Sequence, residues 1–145
     1  MDIKKVGVVG CGLMGSGIAQ IAAQAGLDVV VREVDDAACA KGQGKIDKFL
    51  GKAVEKGKLS EDDKAAIMGR MTFTTQLSDF ADCDLVVEAI IENLDIKREL
   101  FAELDGICPE HTIFATNTSS LAVGDMASAT KRPQNFVGLH FFNPV

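Results

Sequence analysis

No apolar run in this 145-residue sequence approaches the ~20 residues that a helix needs to cross a bilayer. The N-terminal segment also lacks the basic, apolar and small-residue order of a secretory signal peptide. From these absences no membrane partner is expected, and a cytoplasmic protein is. Basic residues are outnumbered too, with 15 lysines and arginines against 21 aspartates and glutamates, a formal charge of −6. A surface of that sign argues against nucleic acid and anionic membranes as partners. The four cysteines, Cys11, Cys39, Cys83 and Cys108, lie far apart with no C-x-x-C spacing. They read as reduced, small hydrophobic residues of a cytosolic protein, with no metal site. Internal repeats, low-complexity tracts and clear linkers are lacking as well, which leaves one domain over residues 1–145.

What is present begins with glycine. Val6-Gly7-Val8-Val9-Gly10-Cys11-Gly12-Leu13-Met14-Gly15 sets a G-x-G-x-x-G fingerprint between an apolar strand and a periodic helix. Gly10 permits the tight turn, Gly12 lets the backbone approach a pyrophosphate, and Gly15 allows close helix–sheet packing. The helix N-terminus presents free N–H groups and a positive dipole end to the anion. Cys11, Leu13 and Met14 share this loop and join the expected cofactor-binding set. Glu33 ends a second apolar run, Val29-Val30-Val31, eighteen residues past Gly15. Its carboxylate suits the adenosine ribose 2′-OH and repels a 2′-phosphate, which favours NAD over NADP. Arg32 beside it keeps NADP open, because a nearby arginine is how such folds admit the extra phosphate.

Short β-type runs alternate with helical ones, the pattern of a parallel α/β sheet. Strands are expected at Ile3–Val9, Asp28–Glu33, Met71–Thr74, Asp84–Glu88, Thr112–Ala115 and Phe136–His140. They predict a doubly wound, Rossmann-type sheet in the order 3-2-1-4-5-6, with the ligand across the C-terminal strand ends. A helix from about Leu94 to Leu104 is expected to bury Ile96, Leu100, Phe101 and Leu104 and to expose Lys97, Arg98 and Glu99. Between Glu33 and Met71 the chain is longer than one crossover helix requires. Ala38 to about Lys56 reads as a lysine-rich amphipathic helix, and Ser60 starts another, with Asp63 closing a capping box. The pair makes a helical-hairpin insertion over about 38–70. Lys45, Lys48, Lys52, Lys56 and Lys58 give it a positive surface, which on its own describes a solvated helix face.

Polar groups crowd the ends of the last three strands. Glu88 to Asn93, Thr116 to Leu121 and Gly138 to Pro144 converge where a nicotinamide would lie. Oxidising a secondary alcohol means removing its hydroxyl proton while hydride leaves carbon. Imidazole is the natural proton acceptor near neutral pH, and His140 supplies one. The Ser119 hydroxyl is placed to hold the developing oxyanion. His111, in a polar turn before a strand, reads as structural.

The segments GCGLMGSGIAQ, DLVVEAIIEN, TNTSSL and GLHFFNP are specific in combination. With them the chain resembles the N-terminal domain of the L-3-hydroxyacyl-CoA dehydrogenases, most of all the bacterial 3-hydroxybutyryl-CoA dehydrogenases. The resemblance covers essentially all 145 residues. It implies an oxidoreductase of fatty acid and butanoate metabolism, interconverting (3S)-3-hydroxyacyl-CoA and 3-oxoacyl-CoA with NAD. It implies His140 as general base, Ser119 as a substrate contact near the nicotinamide, and Glu92, Lys97 and Asn143 as lining the cofactor site. It assigns Lys52 and Lys56 to the CoA phosphates of an acyl-CoA substrate. The family carries a second, all-helical domain after HFFNPV, the source of a glutamate that orients the histidine, a catalytic asparagine and a homodimer interface. Ending at Val145, the chain is expected to be incomplete as a catalyst and to expose Phe141, Phe142 and Val145. A non-catalytic NAD-binding module, a flavin enzyme and a dehydrogenase of another 3-hydroxy acid remain as other readings.

Overall fold

Strands that are apolar on both faces need cover on both sides, and helices provide it. The computed structural model describes all 145 residues. In chain order it holds β1 (Lys5–Val9), α1 (Leu13–Gln24), β2 (Asp28–Arg32), α2 (Asp36–Glu55), α3 (Glu61–Gly69) and β3 (Met71–Thr74). Then come β4 (Leu85–Glu88), α4 (Leu94–Ile107), β5 (Ile113–Thr116), α5 (Val123–Ala127) and β6 (Phe136–Gly138). All neighbours are parallel, in the order β3-β2-β1-β4-β5-β6, which is the expected doubly wound arrangement. The winding reverses between β1 and β4, where Val9 pairs with Glu88. That pair marks the topological switch point, where open sheets of this kind bind their ligands.

Alternation along the strands divides the core into two layers. Val6, Val8, Val29 and Val31 face α1, α2 and α3 through Ile18, Ala19, Ile46, Leu50 and Ile67. Val9, Val30, Val86 and Phe114 face α4 and α5 through Leu100, Phe101, Leu104 and Met126. No helix is long and apolar enough to cross a membrane.

Several boundaries differ from expectation, each for a local reason. β1 starts at Lys5, because the Asp84 carboxylate takes the N–H groups of Lys4 and Lys5 at 2.8 and 3.0 Å. β4 and β5 each begin one residue later than expected, and β2 stops at Arg32. α2 starts at Asp36 instead of Ala38, since Asp35 caps it by accepting from Ala38 N–H at 2.7 Å. The Ser60 cap of α3 forms as expected, with Asp63 N–H donating to Ser60 Oγ at 3.0 Å. β6 is only three residues long. Leu139 N–H makes a last bond to Thr116 O at 2.9 Å, and His140 lies beyond the strand.

The buried face of α4 needs a larger correction. Ile96 is 41% exposed and Lys97 only 1%. The core stripe runs Lys97, Leu100, Phe101, Leu104, an i, i+3, i+4, i+7 series whose first member is a cation. The expectation for the C-terminal residues changes as well. Phe141 is half-buried against the first core layer, and a Cβ on Gly17 would come within 2.9 Å of Val145. Phe142, 77% exposed, and Val145, 36% exposed, keep to the expectation, so Phe141 is the one that departs from it.

Candidate cofactor and catalytic site

The three glycines of the fingerprint sit in three different environments. Gly10 has φ +95°, and a Cβ there would meet Ala89 O at 2.8 Å, so only glycine fits comfortably. A Cβ on Gly15 would overlap Gly10 O at 1.8 Å. On Gly12 a Cβ would meet nothing within 4 Å. Two glycines therefore hold the shape of the loop, and the third leaves open space at the start of α1. The first N–H groups of a helix lack partners of their own, which suits that space to an anion.

Beyond β2, Glu33 closes onto this loop. Its Oε1 accepts from Cys11 N–H at 2.5 Å and its Oε2 from Val34 N–H at 3.1 Å. Arg32 turns elsewhere, its Nε donating to Thr75 O at 3.3 Å. The Cys11 side chain is buried against Gly42 of α2. Burial, then the nearby Glu33 charge, pushes its thiol up to about 11, so it stays protonated and inert. Cys39, Cys83 and Cys108 are also buried as free thiols.

On the other side of the switch point, charge replaces backbone. Glu88 ends β4 fully buried, yet both its oxygens are occupied. Oε2 accepts from Lys97 Nζ at 2.5 Å and Ile90 N–H at 2.8 Å, and Oε1 accepts from Thr116 Oγ1 at 2.6 Å. Lys97 also reaches Glu92 Oε1 at 3.2 Å. Glu92 Oε2 accepts from Thr118 Oγ1 at 2.6 Å and Ser120 Oγ at 3.3 Å. Partial burial pulls the Glu92 carboxyl upward, but these hydrogen bonds and the Lys97 charge outweigh it and hold it below the usual range. A buried charge is tolerable only when paired and bonded in this way.

Gly12, Leu13, Met14, Glu92, Lys97, Asn117 and Ser119 line one cleft of about 410 Å³. His140 is exposed, its ring edge-on to Phe142 at 5.1 Å between centroids. Asn117 anchors this segment at the mouth of β5, its Oδ1 accepting from Phe141 N–H at 2.8 Å. Asn143 lies elsewhere. It lines a groove of about 420 Å³ between α1 and α2, together with Lys45, Phe49 and Val145. Leu13 borders both spaces. Lys52 and Lys56 are exposed and line neither, but Lys45, Lys48, Lys52 and Lys56 are spaced three, four and four residues apart. On a helix that spacing makes one stripe, which starts at the edge of the groove.

Sequence reasoning passed over Glu88, Asn117 and Thr118 as individual residues. A signal for Glu88 existed, because a carboxylate closing a buried apolar strand demands a cation. Lys97, at the head of an otherwise apolar helical stripe, is that cation.

Residues 5–145 match the family described as 3-hydroxyacyl-CoA dehydrogenase, NAD binding domain. The chain belongs to this family. A Deinococcus radiodurans protein named probable 3-hydroxybutyryl-CoA dehydrogenase is 53% identical over 141 residues, 97% of this chain and 50% of that protein. The crystal structure of Mycobacterium tuberculosis FadB2 superposes with a TM-score of 0.97 at 46% identity, covering 100% of this chain and 51% of the other. That of (S)-3-hydroxybutyryl-CoA dehydrogenase PaaH1 from Ralstonia eutropha gives 0.96 at 43% identity, covering 99% and 51%. The chain thus spans about half the length of the relatives it matches. As a domain of the 3-hydroxyacyl-CoA dehydrogenases it takes a nicotinamide cofactor, which sets the flavin reading aside.

Proposed function

We propose that this domain binds NAD and serves the interconversion of (3S)-3-hydroxyacyl-CoA, 3-hydroxybutyryl-CoA in particular, and 3-oxoacyl-CoA. The observation that carries the reading is that the open face of Gly12 borders the same cleft as Glu92, Lys97 and Ser119. A dinucleotide whose pyrophosphate meets Gly12 must send one half to each side of the switch point. Glu33 beyond β2 suits the adenosine ribose, so the nicotinamide half goes to the mouths of β4 and β5. Glu33 at the loop and Arg32 turned to Thr75 both support NAD over NADP.

Bound here, the nicotinamide would supply the hydride acceptor in its oxidised form and the hydride donor in its reduced form. The chain's own residues do the rest. His140 takes the hydroxyl proton and gives it back in reverse. Ser119 donates a hydrogen bond to the substrate oxygen, and Asn117 holds the backbone next to His140. The lysine stripe of α2, Lys52 and Lys56 included, attracts the phosphates of CoA from solvent, each ammonium being a compact charge. Asn143 lines the adjoining α1–α2 groove, which meets the cleft at Leu13. Four buried thiols support a reducing, cytoplasmic setting.

The test is NADH binding by this chain, and turnover of 3-oxobutyryl-CoA by the chain fused to the second half of the Deinococcus radiodurans relative. In the fusion His140→Ala should lower turnover by roughly 10²–10⁴-fold, the range for a general acid–base group. NADH affinity should barely move. NADH binding with no turnover in the fusion would leave a non-catalytic module.

A further inference from the structure

Two carboxylates share one ammonium at the mouth of β4. Lys97 Nζ stands 2.5 Å from Glu88 Oε2 and 3.2 Å from Glu92 Oε1. As ions the three sum to one negative charge, and that charge is not evenly placed. Glu88 and Lys97 are 0% and 1% exposed, whereas the Glu92 side chain is 45% exposed and lines the cleft. Glu88 holds the shorter contact and is locked by Ile90 N–H and Thr116 Oγ1. The ammonium is thus spent on a carboxylate the cofactor never meets, and the surplus negative charge falls on the one it does.

Oxidised nicotinamide is a cation and reduced nicotinamide is neutral. A fixed charge in the cleft therefore separates the two forms, where hydrogen bonds to the common ribose and phosphates do not. We propose that Glu88 sets the preference of this cleft between the two oxidation states of its cofactor. By holding Lys97 at 2.5 Å, against 3.2 Å for Glu92, it leaves the Glu92 carboxylate only partly compensated, and the chain holds the cationic ring more tightly, relative to the neutral one, than it would without Glu88. The proposal rests on the assignment of the cleft to the nicotinamide half. Glu88 acts here as a positioning residue, through Lys97 and Glu92. The consequence is directional: tighter retention of the oxidised form favours hydride passing from NADH to the 3-oxo thioester.

For a charge about 6 Å from the ring at a half-exposed position, where the effective dielectric is ~40–80, the preference is worth roughly three- to tenfold in affinity. The experiment measures dissociation constants of NAD and NADH separately on the chain and on three variants. Glu88→Gln removes the charge but keeps the shape, and releases Lys97 to neutralise Glu92. The ratio of the NAD constant to the NADH constant should rise about three- to tenfold. Glu92→Gln, at a half-exposed position, should raise the ratio too, and decides the matter if Glu88→Gln does not fold. Thr116→Val removes a hydrogen bond to Glu88 without changing charge, and the ratio should stay within about twofold. Parallel weakening of both forms in Glu88→Gln, or an unmoved ratio in Glu92→Gln, overturns the proposal. If the unaltered chain binds neither form, the cofactor assignment itself fails, a result distinct from an unmoved ratio.

Discussion

The two sides of the proposed cofactor cleft are built from different materials. Toward β2 the site is a backbone turn with one carboxylate folded onto it, and its residues belong to a single β-α-β unit. Toward β4 and β5 it is a network of side chains, in which Glu88, Lys97, Glu92, Thr116 and Thr118 each satisfy another. A backbone site tolerates change wherever space is open and fails where it is not. A charge network fails at its buried centre, because removing Lys97 strands Glu88 in a dry interior.

Lys97→Met should break the second side most severely. It leaves the fully buried Glu88 without its cation, a loss of about 3–5 kcal/mol for a broken buried pair. Urea denaturation measures it. Adding Glu88→Gln should restore part of the stability, since the stranded charge is what costs most, and the two effects should not add. A loss below about 1 kcal/mol would mean that water reaches Glu88 and the network is not closed.

That contrast also governs how much was legible in the sequence. The shape of the glycine loop and the approach of Glu33 to it could be read because both follow from backbone geometry at fixed spacings, which leaves the same imprint in any context. The strand order followed from alternation, and the cap at Ser60 from local hydrogen bonding. The α4 face was misjudged because hydropathy assigns Ile96 inward and Lys97 outward. The pairing that reverses this comes from Glu88, on a different element, and no helical period contains it. His140 was placed on a strand for a similar reason: β6 is an edge strand, and its length is set by what β5 offers. The groove that takes Asn143 depends on how the last residues cross α1, a tertiary contact with no local pattern.

The backbone side invites the opposite experiment. Gly12→Val should reduce NADH affinity at least about tenfold, because the added side chain fills the space open to the pyrophosphate. Stability should change by about 1 kcal/mol or less, the scale of a lost helix N-cap preference. Gly15→Ala should do the reverse and damage the fold first, its Cβ falling 1.8 Å from Gly10 O. Equal losses of stability in the two variants would show that the loop does not divide its glycines by task.

At the opposite end of the sheet, Asp84 offers a charge that takes no part in the cleft. Hydrogen bonds from Lys4 N–H, His111 and Lys5 N–H hold its carboxyl down at about 2. Its folded value lies below the ~3.9 of an unfolded aspartate, so its stabilisation is present above that pH and is lost as pH falls toward 2. Asp84→Asn should lower Tm by about 3–5 °C at pH 7. The gap should close between about pH 4 and pH 2, with NADH affinity at pH 7 unchanged. A gap that persists at pH 2 would assign the effect to packing and not to charge.

The smallest effect should come from the lysine stripe, which lies outside both halves of the cleft. Lys52 and Lys56 are exposed, and Lys45 alone of the stripe touches the α1–α2 groove. Charges in water act weakly, and salt screens them over about 8–10 Å. Changing Lys52 and Lys56 together to glutamate should weaken acyl-CoA binding by a few-fold at low ionic strength. Most of that loss should disappear near ~1 M salt, where the screening length falls to about 3 Å. Stability should stay within about 0.5 kcal/mol, as for most surface changes. Lys45→Glu alone should match or exceed the double change, because it sits at the rim where the nucleotide would settle. A thioester lacking the nucleotide should bind all variants alike. Equal losses for that truncated ligand and for acyl-CoA would return the stripe to a solvated helix face, and confine recognition to the cleft whose two sides are contrasted above.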